Sequence, residues 1–121
     1  MTEKSPNIEK HGDVTCIRLG PEFENLDENS LDMIRTAMLD AAAAADPARV
    51  LIDLQYTSFF GSSFIEVLFR IWNRVNAIPG GKFGISGLTD YCKEVLEVTH
   101  LDKLWSLYPD FDAALNDLSD G

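Results

Sequence analysis

Positive charge, cysteine and histidine are all scarce in this sequence, and each shortage excludes a class of function. The 121 residues carry 10 Lys and Arg against 20 Asp and Glu, which gives a formal net charge of −10. Nucleic acids and anionic membranes recruit Lys and Arg, so this balance argues against both as partners. The two cysteines, Cys16 and Cys92, and the two histidines, His11 and His100, show no spacing typical of a disulfide framework or a metal site. We therefore expect neither a metal nor a cofactor.

Long apolar runs are also absent. Stretches such as residues 41–45 fall far short of the roughly 20 apolar residues that cross a bilayer, so we expect no membrane insertion. The polar start, residues 1–6, lacks the apolar segment of a signal peptide, and cytoplasmic residence is the expectation that follows. Hydrophobic residues still make up 45% of the chain, which is enough for a folded domain.

The chain does contain an alternation of strand-like and helix-like segments. Two β-rich segments surround a turn at Gly12 and Asp13 and predict a pair of strands that is antiparallel. The next helix has apolar residues at helical spacing, and Asn29 or Ser30 is the predicted N-cap. Residues 50–54 form an apolar run typical of a strand buried on both faces. Strands and helices alternate from there onward, which favours parallel strands joined by right-handed crossovers.

This pattern predicts an α/β fold, a single small domain in which a mixed β-sheet packs with about four helices. A length of 121 residues is typical of a single domain. The expected bounds are a flexible N-terminus at residues 1–7, the domain at residues 8–118 and a C-terminal tail at residues 119–121.

Two serines at the start of a predicted helix make the most informative segment. A buried strand ends near Leu54, a short loop follows, and Ser62 and Ser63 open a helix that is expected to run to about Asn76. Backbone N–H groups in the first turn of a helix lack intrahelical partners, and the helix dipole there favours negative charge. A serine hydroxyl at this point therefore either caps the helix or is a group whose phosphate the fold would tolerate. Of the two serines, Ser63 is the one interpreted as the likelier cap or backbone-bonded hydroxyl.

The order and spacing of these motifs resemble the STAS domain of anti-sigma-factor antagonists. The resemblance covers about residues 8–118 and is carried by four segments, residues 52–68, 80–88, 95–104 and 108–115. It implies a regulatory protein of transcription and signalling that binds an anti-sigma factor, itself a kinase, with a phosphatase as a further partner.

By this resemblance, Ser62 occupies the position that the partner kinase phosphorylates. In the family, the unphosphorylated antagonist binds the kinase and releases the sigma factor, and the phosphate ends that binding. The acid that commonly precedes the phosphoacceptor is Gly61 here, and the glycine that follows the serine pair is Phe64. A STAS module that works as a scaffold or senses a small ligand without phosphorylation therefore stays open as an alternative.

The helix after the serines carries more apolar surface than one core face requires. Ile65, Leu68 and Val75 belong to one stripe, and a second stripe lies roughly 100° away, so the apolar arc is about twice the usual width. Either neighbouring helices bury both stripes or the second one is exposed as a docking surface. The predicted partner-binding residues are Gly61, Ser62, Ser63, Phe64, Val67 and Ile71.

A strand, a tight turn, a serine and a helix also make up the nucleophile elbow of a serine hydrolase. Ser62, Asp90 and His100 even follow one another in the Ser–Asp–His order of that class. The elbow requires glycine two residues before and two residues after its serine, where this chain has Phe60 and Phe64. We therefore predict a protein without enzymatic activity and keep a small serine hydrolase that uses Ser62 as the alternative.

Overall fold

The computed structural model describes residues 6–119, and the elements alternate along this range as expected. The expected flexible ends, residues 1–7 and 119–121, lie largely outside it. No helix within the described range is both long and apolar enough to cross a bilayer. The α-helices are α1 (Glu28–Ala44), α2 (Ser62–Asn76), α3 (Asp90–Val98) and α4 (Phe111–Ser119). The strands are β1 (Asn7–His11), β2 (Val14–Arg18), β3 (Asn25–Leu26), β4 (Arg49–Asp53), β5 (Phe59–Phe60), β6 (Lys82–Ser86) and β7 (Ser106–Tyr108).

Five of the strands form the main sheet, in the order β1, β2, β4, β6, β7. β1 pairs antiparallel with β2, and the other neighbouring pairs are parallel. The crossovers between successive parallel neighbours place α1, α2 and α3 on one face, over the larger apolar core. α4 covers the opposite face, where Ala114 and Leu118 pack on Val14, Cys16 and Leu51. The predicted single domain with a mixed sheet and four helices is confirmed.

The start of α1 differs from the expectation. The helix begins at Glu28, and its N-cap is Asp27, whose Oδ1 accepts a hydrogen bond from the backbone N–H of Ser30 at 2.9 Å. The predicted cap at Asn29 or Ser30 is therefore wrong, because a carboxylate slightly earlier in the chain already satisfies the free N–H groups of the first turn.

A second, two-stranded sheet holds the loop that carries the serines. β3 and β5 pair in parallel, with Asn25 opposite Phe59 and Leu26 opposite Phe60. The sequence analysis does not predict these strands, because two residues are too few to show an alternating pattern. This small sheet fixes the direction in which the chain enters α2.

Candidate functional site

Ser62 is the first residue of α2, and its side chain is exposed to solvent. Gly61 is the N-cap; its backbone is extended, and glycine has no side chain that could accept a capping hydrogen bond. Its carbonyl accepts hydrogen bonds from the N–H groups of Phe64 and Ile65 at 3.2 and 3.3 Å. The helix therefore starts without a side-chain cap, and the Ser62 hydroxyl is presented at its positive end.

Ser63 has a different partner from the one expected. Its hydroxyl donates a hydrogen bond to a carboxylate oxygen of Glu28, at the start of α1. The interpretation of Ser63 as the likelier cap or backbone-bonded hydroxyl is wrong, because the side chain bridges two helices. Ser62 and Ser63 thus face different surroundings, one solvent and the other a neighbouring helix.

Buried hydrogen bonds anchor the loop before Ser62. Thr57 is fully buried, and its Oγ1 donates to the backbone carbonyl of Phe23 at 3.1 Å. The Thr57 carbonyl in turn accepts from Thr89 Oγ1 at 3.0 Å and lies 3.6 Å from Cys92 Sγ. The loop is therefore tied both to the segment before β3 and to the start of α3.

A buried acid organises the strand end that leads into this loop. Asp53, at the end of β4, is only 2% exposed. Its Oδ2 accepts from Arg18 Nε at 3.1 Å and from Gln55 Nε2 at 3.0 Å, and its Oδ1 accepts from Ser86 Oγ at 3.2 Å. The Arg18 guanidinium lies 4.0 Å from the centre of the Phe111 ring. Through these partners the buried carboxylate ties three strands together.

The predicted exposed stripe on α2 is buried. Phe64, Val67 and Ile71 are each at most 1% exposed, so none of them offers a docking surface. The reason is that α2 packs against α1 as well as against the sheet, so each apolar stripe has its own neighbour. Of the predicted partner-binding residues, Ser62 is exposed and Gly61 and Ser63 are partly exposed.

An exposed aromatic pair lies beside the serines. The ring of Phe59, in β5, stacks on that of Tyr91, in α3, with 5.8 Å between their centres. Both side chains are exposed. The sequence analysis misses this pair, because Phe59 sits in an unpredicted strand and its partner lies 32 residues away.

A STAS-domain family model matches residues 5–114 of the sequence. The chain belongs to the STAS domain family. No curated protein matches this STAS domain.

Solved structures with the same fold include proteins described as anti-sigma-factor antagonists. A STAS-domain protein of that description from Planctomyces limnophilus has a TM-score of 0.92 and 37% identity, covering 96% of this chain and 99% of its own. An anti-sigma factor antagonist from Mycobacterium paratuberculosis has a TM-score of 0.75 and 22% identity, covering 95% and 93%. The Bacillus cell fate determinant SpoIIAA in its phosphorylated form has a TM-score of 0.67 and 18% identity, covering 93% and 98%.

The hydrolase arrangement does not form in this STAS domain. Asp90 is the first residue of α3, and His100 follows the far end of that helix. The nine residues of α3 rise about 13 Å along the helix axis, far beyond hydrogen-bond reach. Asp90 therefore cannot orient His100 as the third member of a triad with Ser62.

The thiols of the STAS domain are placed for packing. Cys16 and Cys92 are both buried and unpaired. Burial raises the pKa of the Cys16 thiol to about 11, and it raises the pKa of Cys92 as well. The reactive thiolate is thus disfavoured at both positions. Among residues 6–119, no group of three or more His, Cys, Asp or Glu side chains could hold a metal ion.

Proposed function

We propose that this STAS domain is a regulatory binding module of the anti-sigma-factor-antagonist kind, and that its Ser62 surface binds an anti-sigma factor with kinase activity. The observation that carries the proposal is the exposed Ser62 hydroxyl at the start of α2, in a loop anchored by buried hydrogen bonds. The descriptions of the structural relatives favour the same role. Because an ATP-using kinase is the proposed partner, the proposed compartment is the cytoplasm.

Phosphorylation of Ser62 is the proposed switch. The Ser62 Oγ attacks the γ-phosphorus of ATP, the bond to the bridging oxygen breaks, ADP leaves, and the hydroxyl proton passes to a base of the kinase. The product carries about −1.5 to −2 charge at pH 7, which the first turn of a helix accepts. The fold should therefore survive, while a partner that covers Ser62 would have to strip water from the phosphate. We infer that the modification releases the partner.

We further propose that the domain acts by binding and not by catalysis. The separation of Asp90 from His100 along α3 supports this. Purified protein should hydrolyse neither acyl esters nor phosphate esters. An activity that disappears in Ser62→Ala would contradict this part of the proposal.

The test is a titration of the domain against anti-sigma factors with kinase activity encoded in the same genome. Calorimetry would compare the unmodified domain with Ser62→Asp and with Asn73→Asp, which adds the same charge at an exposed site further along α2. We expect Ser62→Asp to weaken binding at least about tenfold, a difference of 1.4 kcal/mol, and Asn73→Asp to leave it unchanged. Equal affinity for all three proteins would contradict the switch.

The glycine at position 61 favours one second candidate, a STAS scaffold or small-ligand sensor that is not phosphorylated. Gly61 offers no carboxylate beside Ser62, unlike the common family pattern. Incubation with ATP and the bound kinase separates the two candidates. A mass gain of one phosphoryl group that is lost in Ser62→Ala supports the switch, whereas binding without any mass gain supports the scaffold.

A further inference from the structure

Helix α3 exposes an apolar strip that begins at the aromatic pair. Tyr91, Val95 and Val98 follow the i, i+4, i+7 spacing, which places them on one side of the helix. Val98 is 71% exposed and Tyr91 is 49% exposed, whereas Cys92 and Leu96, on another side, are buried in the core. Val95, between Tyr91 and Val98, is partly buried and packs against the core, so the strip is exposed at its two ends and borders the face that packs on the domain.

A row of carboxylates runs along the outer border of this strip. Asp90, Glu94 and Glu97 have the same spacing, and all three are exposed. Lys93 is the only basic residue of α3. The helix thus presents an apolar row and an acidic row side by side.

We name these two rows together with Phe59 the α3 surface. It consists of Phe59, Tyr91, Val95 and Val98 with the bordering acids Asp90, Glu94 and Glu97. We propose that the α3 surface docks an amphipathic segment of a partner protein, one that carries Arg or Lys beside its apolar side chains. For the identity of that partner, the anti-sigma factor, this inference rests on the proposed function.

Charge complementarity selects this occupant over a second copy of the chain. The whole chain carries a formal net charge of −10, and two α3 surfaces facing each other would oppose their carboxylate rows. A basic segment would instead be attracted by the same row of carboxylates. Aromatic side chains that are stacked and half-exposed are typical binding anchors, and their faces also attract cations.

The position of Ser62 connects the α3 surface to the proposed switch. Ser62 follows Phe59 by three residues, so a phosphate there would lie next to the apolar contacts of the docked segment. The phosphate would have to lose water in that place, which is unfavourable without a cation aimed at it. Docking and release would then use adjoining parts of one surface.

The first experiment tests the chemistry of the surface with a defined probe. The probe is a synthetic helical peptide with one leucine stripe bordered by arginines, titrated into isotopically labelled domain and followed by backbone amide shifts. We expect the shifts to concentrate on α3 and Phe59, and the double variant Glu94→Lys, Glu97→Lys to weaken binding at least about tenfold. Shifts elsewhere, no shifts, or equal binding of a peptide with glutamate in place of arginine would overturn the proposal.

The second experiment tests the natural partner in the calorimetric assay described above. Tyr91→Ala and Val98→Asp should each weaken binding at least about tenfold. Val98→Asp should leave the melting temperature unchanged because Val98 is 71% exposed, and Tyr91→Ala should lower it slightly because the stack on Phe59 is lost. The matched control is Ile78→Asp, an exposed apolar residue beyond the opposite end of α2 from Ser62, which should bind like the unmodified domain.

The outcomes separate this inference from the proposed function. Unchanged affinity in Tyr91→Ala and Val98→Asp, together with weak binding by Ser62→Asp, would overturn the inference and leave the proposed function standing. If no anti-sigma factor binds the unmodified domain, the proposed function fails, and the peptide titration alone decides whether the α3 surface docks basic segments. A dimer that becomes a monomer in Val98→Asp would assign the surface to a second copy and overturn the inference.

Discussion

Ser63 links the start of α2 to the start of α1 through its hydrogen bond to Glu28. Removing the hydroxyl in Ser63→Ala should cost about 0.5–1.5 kcal/mol of unfolding free energy, the usual net value of such a bond. In a double-mutant cycle with Glu28→Ala, urea denaturation should give a coupling energy of about 0.5–1 kcal/mol. If the Ser63 hydroxyl capped α2 instead, Ser63→Ala would cost the same unfolding free energy whether residue 28 is Glu or Ala. Zero coupling would therefore return Ser63 to the role of a cap.

Gly61 has space for a side chain. No atom lies within 4 Å of the position that a Cβ would take, and the backbone is extended, a conformation open to any residue. Gly61→Asp should therefore fold normally, with an unfolding free energy within a few tenths of a kcal/mol of the unmodified domain, because Asp and Gly differ little as N-caps. Chemical denaturation measures this difference. A loss above about 1 kcal/mol would show that residue 61 is constrained by more than its local geometry.

The sequence predicts residues whose role is local and misses those whose role depends on distant contacts. Ser62 is identified because its position follows from the strand and helix on either side of it. The partner of Ser63 is not, because Glu28 is 35 residues away. The same holds for Asp53, which appears in the sequence only as an acid ending an apolar run, while its partner Arg18 comes from another strand.

Ile71, on α2, tests which apolar positions of a helix are buried. The side chain is 1% exposed, so Ile71→Asp would bury an unpaired carboxylate and should cost several kcal/mol of unfolding free energy. Ile78→Asp, just beyond the same helix and exposed, should change it by less than about 0.5 kcal/mol. Thermal melting of both variants measures the contrast. Cooperative unfolding of Ile71→Asp near the temperature of the unmodified domain would show that this stripe opens to solvent.

Helical periodicity alone cannot tell a helix with two buried stripes from a helix with one buried and one exposed stripe. For α2, the second stripe faces another element of the fold, because the helix packs against α1 as well as against the sheet. For α3, the apolar spacing of Tyr91, Val95 and Val98 looks like a core face, but Cys92 and Leu96 are the fully buried residues and Val95 is only partly buried at the border of the core. The sequence therefore predicts both helices and misplaces the exposed apolar surface by one helix.

The topology of the whole molecule explains why α2 and α3 start at the same edge of the sheet. β4 and β6 are adjacent and parallel, so their carboxyl ends meet at one edge of the sheet. The chain leaves β4 toward α2 and leaves β6 toward α3, and both helices start at that edge. The fold class was predictable from the alternation of elements, and this meeting of helix starts follows from it. The stack of Phe59 on Tyr91 needed the side-chain packing as well.

The charge of the whole molecule predicts opposite effects of salt on folding and on binding. With 20 acids and 10 bases, the folded chain repels itself, and salt screens that repulsion as the Debye length falls from about 30 Å at 0.01 M to about 3 Å at 1 M. Salt should therefore stabilise the fold, and a gain of about 1 kcal/mol in unfolding free energy would raise the melting temperature by roughly 4 °C.

The same screening should weaken the docking of a basic partner segment on the α3 surface by at least about tenfold over this range. Melting curves and titrations across one salt series check both directions, with the double variant Glu94→Lys, Glu97→Lys as the control. That variant should lose most of the salt dependence of binding, because its carboxylate row is gone. Binding that does not respond to salt in the unmodified domain would mean that the carboxylate row takes no part in docking.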